Sequence, residues 1–565
     1  MWDLKSLPAG RMLWQLGTEL PHRLGGNSLL NCWFVSMRHP NDFAFLFSNL
    51  MLGGGVGFSV RRCDINELPR VRPSVIITHE RTADADVIVP DSREGWVRLL
   101  EQVMDAFFLT GRSFSYSTLL IRSKGSPIRG FGGVASGPDV FVAGIERICQ
   151  IMRRREGQKL RSVDVLDVCN TIGDIVVAGN VRRSAEIAIG DPDDLAYLRA
   201  KRWDLGTIPA SRAMSNNTVA ACTLDDVLPE LWAGYEGNGE PYGLYNETLC
   251  QEYGRLHQID PDPSVEGLNP CGEIPLADHE CCNLAELFLP RFASFHEFTD
   301  ASRLLYRLQK HVAAMPYLAR DTEEVVHRNM RLGLSVSGVM QDLPRAYEWL
   351  DPCYRQLRCH DEDYSQLMGW PRSIRLTTVK PSGTLSLLAG VTPGGHPAYA
   401  RHLLRRVSVA SDSPLVAFAR EHGYRVETRL NLDGTPDHRT ASVCFPVSYP
   451  DGTVVAADTS AIDQLQVVQL LQSQWADNAV SVTVYYRPEE LAHIRAYLTQ
   501  HYNRWFKSLS FLLHTEHGFA QPVLEPLSAE QYVTQTAALV PFSQLVADTT
   551  QQVESDCEGG LCPIR

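Results

Sequence analysis

The chain has 565 residues and a mass of 63.1 kDa, roughly four domains' worth by length. Hydrophobic residues make up 44% and charged residues 21%, a globular balance that excludes a mainly disordered chain or a small disulfide scaffold. The formal net charge of −13 argues against a duplex nucleic-acid binder, whose phosphate contacts need a basic face, but leaves nucleotides open.

The first residues, Met1-Trp2-Asp3-Leu4-Lys5, lack the basic-then-apolar pattern of a signal peptide. No run of about 18 apolar residues follows, so no transmembrane helix and a cytoplasmic location are expected. In a reducing compartment the 14 cysteines read as free thiols, redox pairs or metal ligands rather than structural disulfides. Gly53-Gly54-Gly55-Val56-Gly57 permits close backbone approach to a ligand or another strand, with a plain turn the simpler reading. Trp96, Leu100, Val103, Met104 and Phe107 form one helical stripe over 96–107, with Asp91 or Ser92 as cap. Asp260-Pro261-Asp262-Pro263 is a loop or linker candidate. Leu305, Leu308, Val312 and Met315 predict a helix over 302–315, stopped by Pro316. Ile374–Thr377 and Val480–Val484 alternate with period two and predict strands. Mixed helix and strand signals favour an α/β fold. From Thr549 to Arg565 apolar periodicity fades, which reads as a mobile tail.

The segment richest in chemistry is Asn269-Pro270-Cys271-Gly272-Glu273-Ile274-Pro275. Pro and Gly place the cysteine on a tight loop, with a carboxamide two residues before it and a carboxylate two residues after. A free cysteine in a turn is most often a small buried hydrophobe. A thiol beside a general base also suits chemistry on a hydroxyl-bearing carbon. Pro381-Ser382-Gly383-Thr384 follows a strand-like run and offers hydroxyls and backbone N–H groups to a phosphate, although a plain turn is the simpler reading. Cys557 and Cys562 form half a zinc site that His514 and His517 would complete, or a mobile dithiol carrying reducing equivalents. There is no G-x-x-x-x-G-K-[ST] motif and no G-x-G-x-x-G leading into a helix.

Taken together these segments resemble adenosylcobalamin-dependent ribonucleotide reductases, specifically the monomeric ribonucleoside-triphosphate reductases. The resemblance starts at Gly10-Arg-Met-Leu-Trp-Gln-Leu-Gly-Thr18 and includes Asn31-Cys32-Trp33, Gly53–Val60 and Arg129–Pro138. It continues through Val181-Arg-Arg-Ser184, Met214-Ser-Asn-Asn-Thr218, Asn269–Glu273, Thr378–Thr384 and Gly390–Gly394, and ends with the Cys557/Cys562 pair.

The resemblance implies a ten-stranded α/β barrel of two five-stranded halves, entered by a finger loop that carries the radical cysteine, Cys271. It implies a catalytic unit over 1–548, with regulatory loops and an insertion, and a redox-active tail over 549–565. Adenosylcobalamin would make Cys271 a thiyl, which takes the 3′ hydrogen of the ribose. Glu273 would accept the 3′-OH proton and Asn269 would hydrogen-bond in the sugar site. Cys32 and Cys282 would supply two electrons for loss of the 2′-OH and end as a disulfide. Cys557 and Cys562 would reduce that disulfide and be reduced in turn by thioredoxin or a similar dithiol protein. Cys281 matches nothing and is expected to be structural. Ser382, Gly383 and Thr384 look like the substrate-phosphate loop. Arg182 and Arg183, with Ser215, Asn216 and Asn217, look like loops linking a deoxynucleotide effector to the base site.

Implied substrates are ribonucleoside triphosphates, the implied state is a monomer, and no metal ligands are expected. The 31 residues before Cys32 make a shorter leader than the resemblance implies. Two other readings stand beside this one: the large subunit of a metal-radical reductase, and a truncated, non-catalytic nucleotide-binding homologue. A tyrosine relay for the former would need a pair near the C-terminus, and Tyr485-Tyr486 reads instead as strand packing.

Overall fold

The computed structural model describes residues 3–126, 135–177, 185–430, 434–513 and 521–540. Five strands run parallel in chain order: β1 (Cys32–Ser36), β2 (Gly55–Ser59), β3 (Ala185–Gly190), β4 (Ser215–Ala220) and β5 (Gly243–Tyr245). Three more, β6 (Leu284–Phe288), β7 (Gly333–Ser337) and β8 (Thr377–Thr378), are also parallel. A third parallel pair joins β9 (Thr483–Tyr486) to β10 (Ser508–Leu513).

Parallel neighbours require crossovers, and helices supply them. Pro40–Met51 links β1 to β2, and Phe295–Ala313 links β6 to β7. Leu343–Met368 links β7 to β8, and Leu491–Trp505 links β9 to β10. Helices on one side and packed loops on the other bury both faces of a strand, which explains the apolar run Trp33-Phe34-Val35, fully buried throughout. The fold is α/β, and no sheet closes on itself among the described residues.

The links between sheets place the site. β5 and β10 pair antiparallel, joining the first parallel set to the last pair. An isolated parallel bridge, Val379 to Val480, ties the end of β8 to the approach to β9. Cys281–Cys282 pairs antiparallel with β1 and runs almost at once into β6. Outside these strands lie a three-stranded parallel sheet (Ile77–His79, Phe114–Ser117, Val87–Ile88) and a four-stranded antiparallel one containing His402–Ala410 and Pro436–Ser448.

The helix expected over 96–107 forms as Arg93–Asp105, with Ser92 Oγ accepting the Gly95 N–H at 3.1 Å. It then widens into a π-turn over Ala106–Thr110, ended by Gly111 at φ +68°. The helix expected over 302–315 starts earlier, at Phe295, because Ser294 caps it.

Three expectations need correction. The strand expected over Ile374–Thr377 is confined to Thr377–Thr378, because the Leu376 and Thr377 N–H groups bond to Asp477 (3.0 and 2.7 Å) instead of a neighbouring strand. The strand expected over Val480–Val484 runs from Thr483 to Tyr486: Val480 makes only an isolated bridge to Val379, and the Ser481 N–H bonds the Val379 carbonyl at 2.9 Å while its side chain holds the Cys271 loop. The Asp260–Pro263 segment is an irregular loop but no linker. Asp262 is fully buried, 2.7 Å from Arg331, which also bonds Glu280 at 3.0 Å.

Tyr486 packs in its strand as expected, its hydroxyl donating to the Tyr235 carbonyl at 2.8 Å. Among the described residues no helix is long and apolar enough to cross a membrane.

Candidate active site

Cys271 sits at the tip of a hairpin whose arms are Val265–Leu268 and Pro275–Ala277. The tip folds back on itself: Asn269 N donates to the Ile274 carbonyl (3.1 Å), and Ile274 N donates to Asn269 Oδ1 (3.0 Å). Gly272 takes φ +77°, a left-handed turn that a side chain would strain. Hydroxyls from β8, from β10 and from the approach to β9 then pin the loop's carbonyls. Ser481 Oγ donates to the Cys271 carbonyl at 2.6 Å, Ser508 Oγ to Gly272 at 2.8 Å and Thr378 Oγ1 to Glu273 at 2.8 Å.

The glycine run that reads as a turn or cradle is strand β2, the floor on which this hairpin lies. A Cβ on Gly57 would stand 1.9 Å from the Leu268 carbonyl oxygen, and one on Gly55 would stand 2.9 Å from the Pro270 ring. Both readings of that run hold in part: Gly53, at φ +74°, lies in a turn, and Gly55 and Gly57 make the close approach to another strand.

Cys32 and Cys282 are residues of β1 and its antiparallel neighbour, directly opposite each other in register. Cys271 lies close to this pair, near enough for each of the three thiols to act on the others. The Cys271 contact favours Cys32 thiolate. The Cys282 contact, burial and the charge of Glu273 outweigh it and push Cys32 well above the usual thiol range. The neighbouring Cys32 thiol is the main influence raising Cys271, whose side chain lies open to the cavity. Cys282 is raised too, burial and Glu273 overcoming the opposing bond to Cys32. All three are therefore S–H groups at neutral pH.

Glu273 is buried, and desolvation pushes its carboxyl up to about 7. Its own backbone N–H, the Asn269 carboxamide and the Lys380 ammonium pull the other way. Asn269 Nδ2 and Glu273 Oε2 are buried without a well-formed hydrogen bond to the protein. A buried carboxamide and carboxyl that act on each other without a well-formed bond, beside a thiol, suit a ligand that bears hydroxyls.

Cys271 also opens onto a cavity of about 360 Å³. Its walls are Ala185 and Ile187 of β3, Asn216 and Thr218 of β4, Tyr242, Pro381, and the hydroxyl residues Ser481, Thr483, Ser508 and Ser510. Cys32, Cys282 and Glu273 are not part of this wall, so Cys271 stands between the cavity and the dithiol.

Ser215, Asn216 and Asn217 are in strand β4 rather than a loop. Asn216 faces the cavity, while Ser215 and Asn217 are buried and bonded to each other at 3.0 Å. Ser382 is buried, its Oγ accepting the Ser386 N–H at 3.2 Å, and Gly383 and Thr384 are exposed beside it. Cys281 is buried against Tyr317, in keeping with a structural role. Arg182, Arg183, Cys557, Cys562, His514 and His517 lie outside the described residues. Among the described residues no cluster of three His, Cys, Asp or Glu side chains could hold a metal. Sequence reasoning missed Ser481, Ser508, Thr378 and the ion pair of Lys380 with Glu286, 2.8 Å apart. Thr378 and Lys380, both in the Thr378–Thr384 run, and Ser481, in the alternating run Val480–Val484, carried a hint.

A thiol triad beside a buried carboxyl, on an α/β scaffold of parallel strands, defines a class: the chain belongs to the B12-dependent ribonucleotide reductase family. Family models match residues 76–152 (B12-dependent ribonucleotide reductase, insertion domain) and 210–345 (ribonucleotide reductase, barrel domain). The adenosylcobalamin-dependent ribonucleoside-triphosphate reductase of Lactobacillus delbrueckii subsp. bulgaricus is 34% identical over 661 aligned positions, covering 100% of this chain and 88% of the relative. A crystal structure of a B12-dependent (class II) ribonucleotide reductase superposes with TM-score 0.84 at 31% identity, over 96% of this chain and 87% of that one. The class Id ribonucleotide reductase alpha subunit of Actinobacillus ureae, at 13% identity and TM-score 0.53 over 91% of this chain and 88% of that one, shares the fold alone.

Proposed function

We propose that this protein reduces ribonucleoside triphosphates to 2′-deoxynucleotides with adenosylcobalamin as cofactor, Cys271 acting as the radical residue. The observation that carries this reading is the meeting of Cys271, Cys32 and Cys282 beside the unpaired Asn269 and Glu273 side chains. The relatives' activity and cofactor agree with it.

The residues present fit the cofactor. The cavity beside Cys271 has room for a nucleoside-sized group, and its walls combine hydroxyls and apolar side chains with Asn216 and Glu186, whose carboxyl is pushed well above the usual range by burial. Ser481, Thr483, Ser508 and Ser510 would hold that group. When bound, adenosylcobalamin supplies the radical that takes the hydrogen atom of the Cys271 thiol.

Residue roles follow from position. Cys271, kept as S–H, gives up that hydrogen atom and then takes the 3′ hydrogen of the ribose. Glu273 accepts the 3′-OH proton at its free Oε2, and a carboxyl poised at about 7 is matched to that task at neutral pH. Asn269 Nδ2 donates to the sugar. The Cys32–Cys282 dithiol supplies two electrons and the proton with which the 2′-OH leaves as water, and ends as a disulfide. Ser382, Gly383 and Thr384 hold the substrate phosphates. Arg182 and Arg183, with the 215–217 segment, relay a deoxynucleotide effector. Cys557 and Cys562 in a tail over 549–565 return electrons from thioredoxin to a catalytic unit over 1–548.

The barrel itself belongs to this reading. β1 to β5 form one five-stranded half. β6 to β10 form the other, joined internally by the Val379–Val480 bridge. The antiparallel pair β5–β10 and the Cys282–Cys32 pairing before β6 support closure into ten strands around a finger loop that carries Cys271.

The test is purified full chain with ATP or CTP, adenosylcobalamin and dithiothreitol, scored for deoxynucleotide. Activity is expected with no other protein present. Activity that appears only with an added metal-radical subunit, or none under any condition, would overturn the reading.

A further inference from the structure

Lys380 is a half-buried cation to which neither the family resemblance nor the scheme above gives a task. Its Nζ lies 2.8 Å from Glu286 Oε2 on β6, with side chains 15% and 0% exposed. Ser337 Oγ on β7 donates to the other Glu286 oxygen. The Lys380 backbone N–H donates to Ser335 Oγ at 2.9 Å, so two strands fix its position. Such a pair is expensive to desolvate and is weak evidence for stability by itself.

Its placement relative to the site is specific. Residues two apart on extended backbone share a face, and Thr378, two before Lys380, bonds the Glu273 carbonyl at 2.8 Å. Lys380 therefore stands on the face that meets the Cys271–Glu273 loop, next to Pro381 at the cavity wall. Its charge acts on both Cys271 and Glu273, and theirs on it. The other groups facing this point are Cys32 on β1, Cys282 beside it, Glu286 on β6, and Arg11, whose charge acts on Cys32 and Cys282. The thiols are neutral S–H groups at neutral pH, and Glu286 is engaged by Lys380 and Ser337.

We propose that Lys380 is a positioning residue of the active site: held by Glu286, its ammonium supplies the positive charge against which buried Glu273 ionises to act as base. This rests on the reading of Glu273 as base given above. An anion formed in a low-dielectric pocket needs a fixed counter-charge, and a cation already held by a second carboxylate provides one without reorganising.

The experiment compares Lys380→Met, Lys380→Arg and the double variant Lys380→Met/Glu286→Gln, the last of which leaves no unpaired buried charge if the single variant fails to fold. Two readouts are taken: the pH profile of deoxynucleotide formation, and an infrared titration of the Glu273 carboxyl in cofactor-free protein, assigned by difference against Glu273→Gln. In Lys380→Met and in the double variant, the Glu273 titration and the rising limb of the profile should move up by about one unit or more. That shift lowers turnover at pH 7 by at least about five-fold, and Lys380→Arg should restore most of it. An unchanged Glu273 titration in folded Lys380→Met or double variant overturns the proposal. Full turnover by Glu273→Gln would instead remove the base reading, while the infrared titration still reports whether Lys380 and Glu273 are coupled.

Discussion

At the scale of single residues, hydrogen-atom exchange needs an S–H bond, and desolvation together with the charge of Glu273 favours the protonated form of Cys32, Cys271 and Cys282. A serine at 271 has the shape but an O–H bond too strong for the exchange. Cys271→Ser should lose deoxynucleotide formation altogether while nucleotide binding, measured by equilibrium dialysis, survives; substantial residual turnover would sink the assignment. Glu273 gives the pH dependence its sign. A carboxyl raised to about 7 is protonated below that pH and cannot accept the 3′-OH proton, so activity should rise through pH 7 and then level. Glu273→Gln should abolish the rate at every pH, whereas loss of a purely structural carboxylate would leave a limb near 7 in the residual activity.

At the scale of elements, the Cys271 hairpin is held from below by a glycine strand and from the sides by hydroxyls. Gly57→Ala puts a methyl group where the Leu268 carbonyl lies, so strand and hairpin must part. Overpacking of this kind costs about 1–3 kcal/mol. A lowered Tm with strongly reduced turnover is expected, and wild-type activity would refute the close packing. Arg331 ties the loop at Asp262 to Glu280, just before the Cys281–Cys282 strand. Removing it strands two buried carboxylates. Arg331→Met should therefore destabilise the fold by about 3–5 kcal/mol in urea unfolding, far more than truncation of an exposed pair such as Arg320–Glu324.

At the scale of the whole molecule, electrons must reach a dithiol that a folded reductant cannot enter. Exchanging both Cys557 and Cys562 for serine should leave one turnover per active site, because Cys32 and Cys282 start reduced. Multiple turnover with thioredoxin should collapse, and dithiothreitol, being small, should restore part of it. An unchanged thioredoxin-driven rate would refute the relay. Rapid-quench counting of product per site separates the two outcomes.

The sequence by itself determined what is local. Ser92 and Ser294 cap their helices because a hydroxyl before an amphipathic stripe satisfies free N–H groups. Asn269, Cys271 and Glu273 share a tight turn because Pro and Gly surround them, and their chemistry was legible from residue type and spacing. Period-two alternation found strands only roughly. It reports which side chains are buried, whereas strand limits at Thr377 and Thr483 go with what the backbone N–H groups bond to, here Asp477 and His396. The pairing of Cys32 with Cys282, suggested by family resemblance alone, has its physical basis in an antiparallel register between strands far apart in the chain. Tertiary structure alone decided that the glycine run is a floor for the hairpin, that Ser481 and Ser508 pin its carbonyls, and that Lys380 and Glu286 stand behind the base. Each of these joins residues from different strands, and a single chain's composition and spacing carry no record of which distant group a buried side chain will meet.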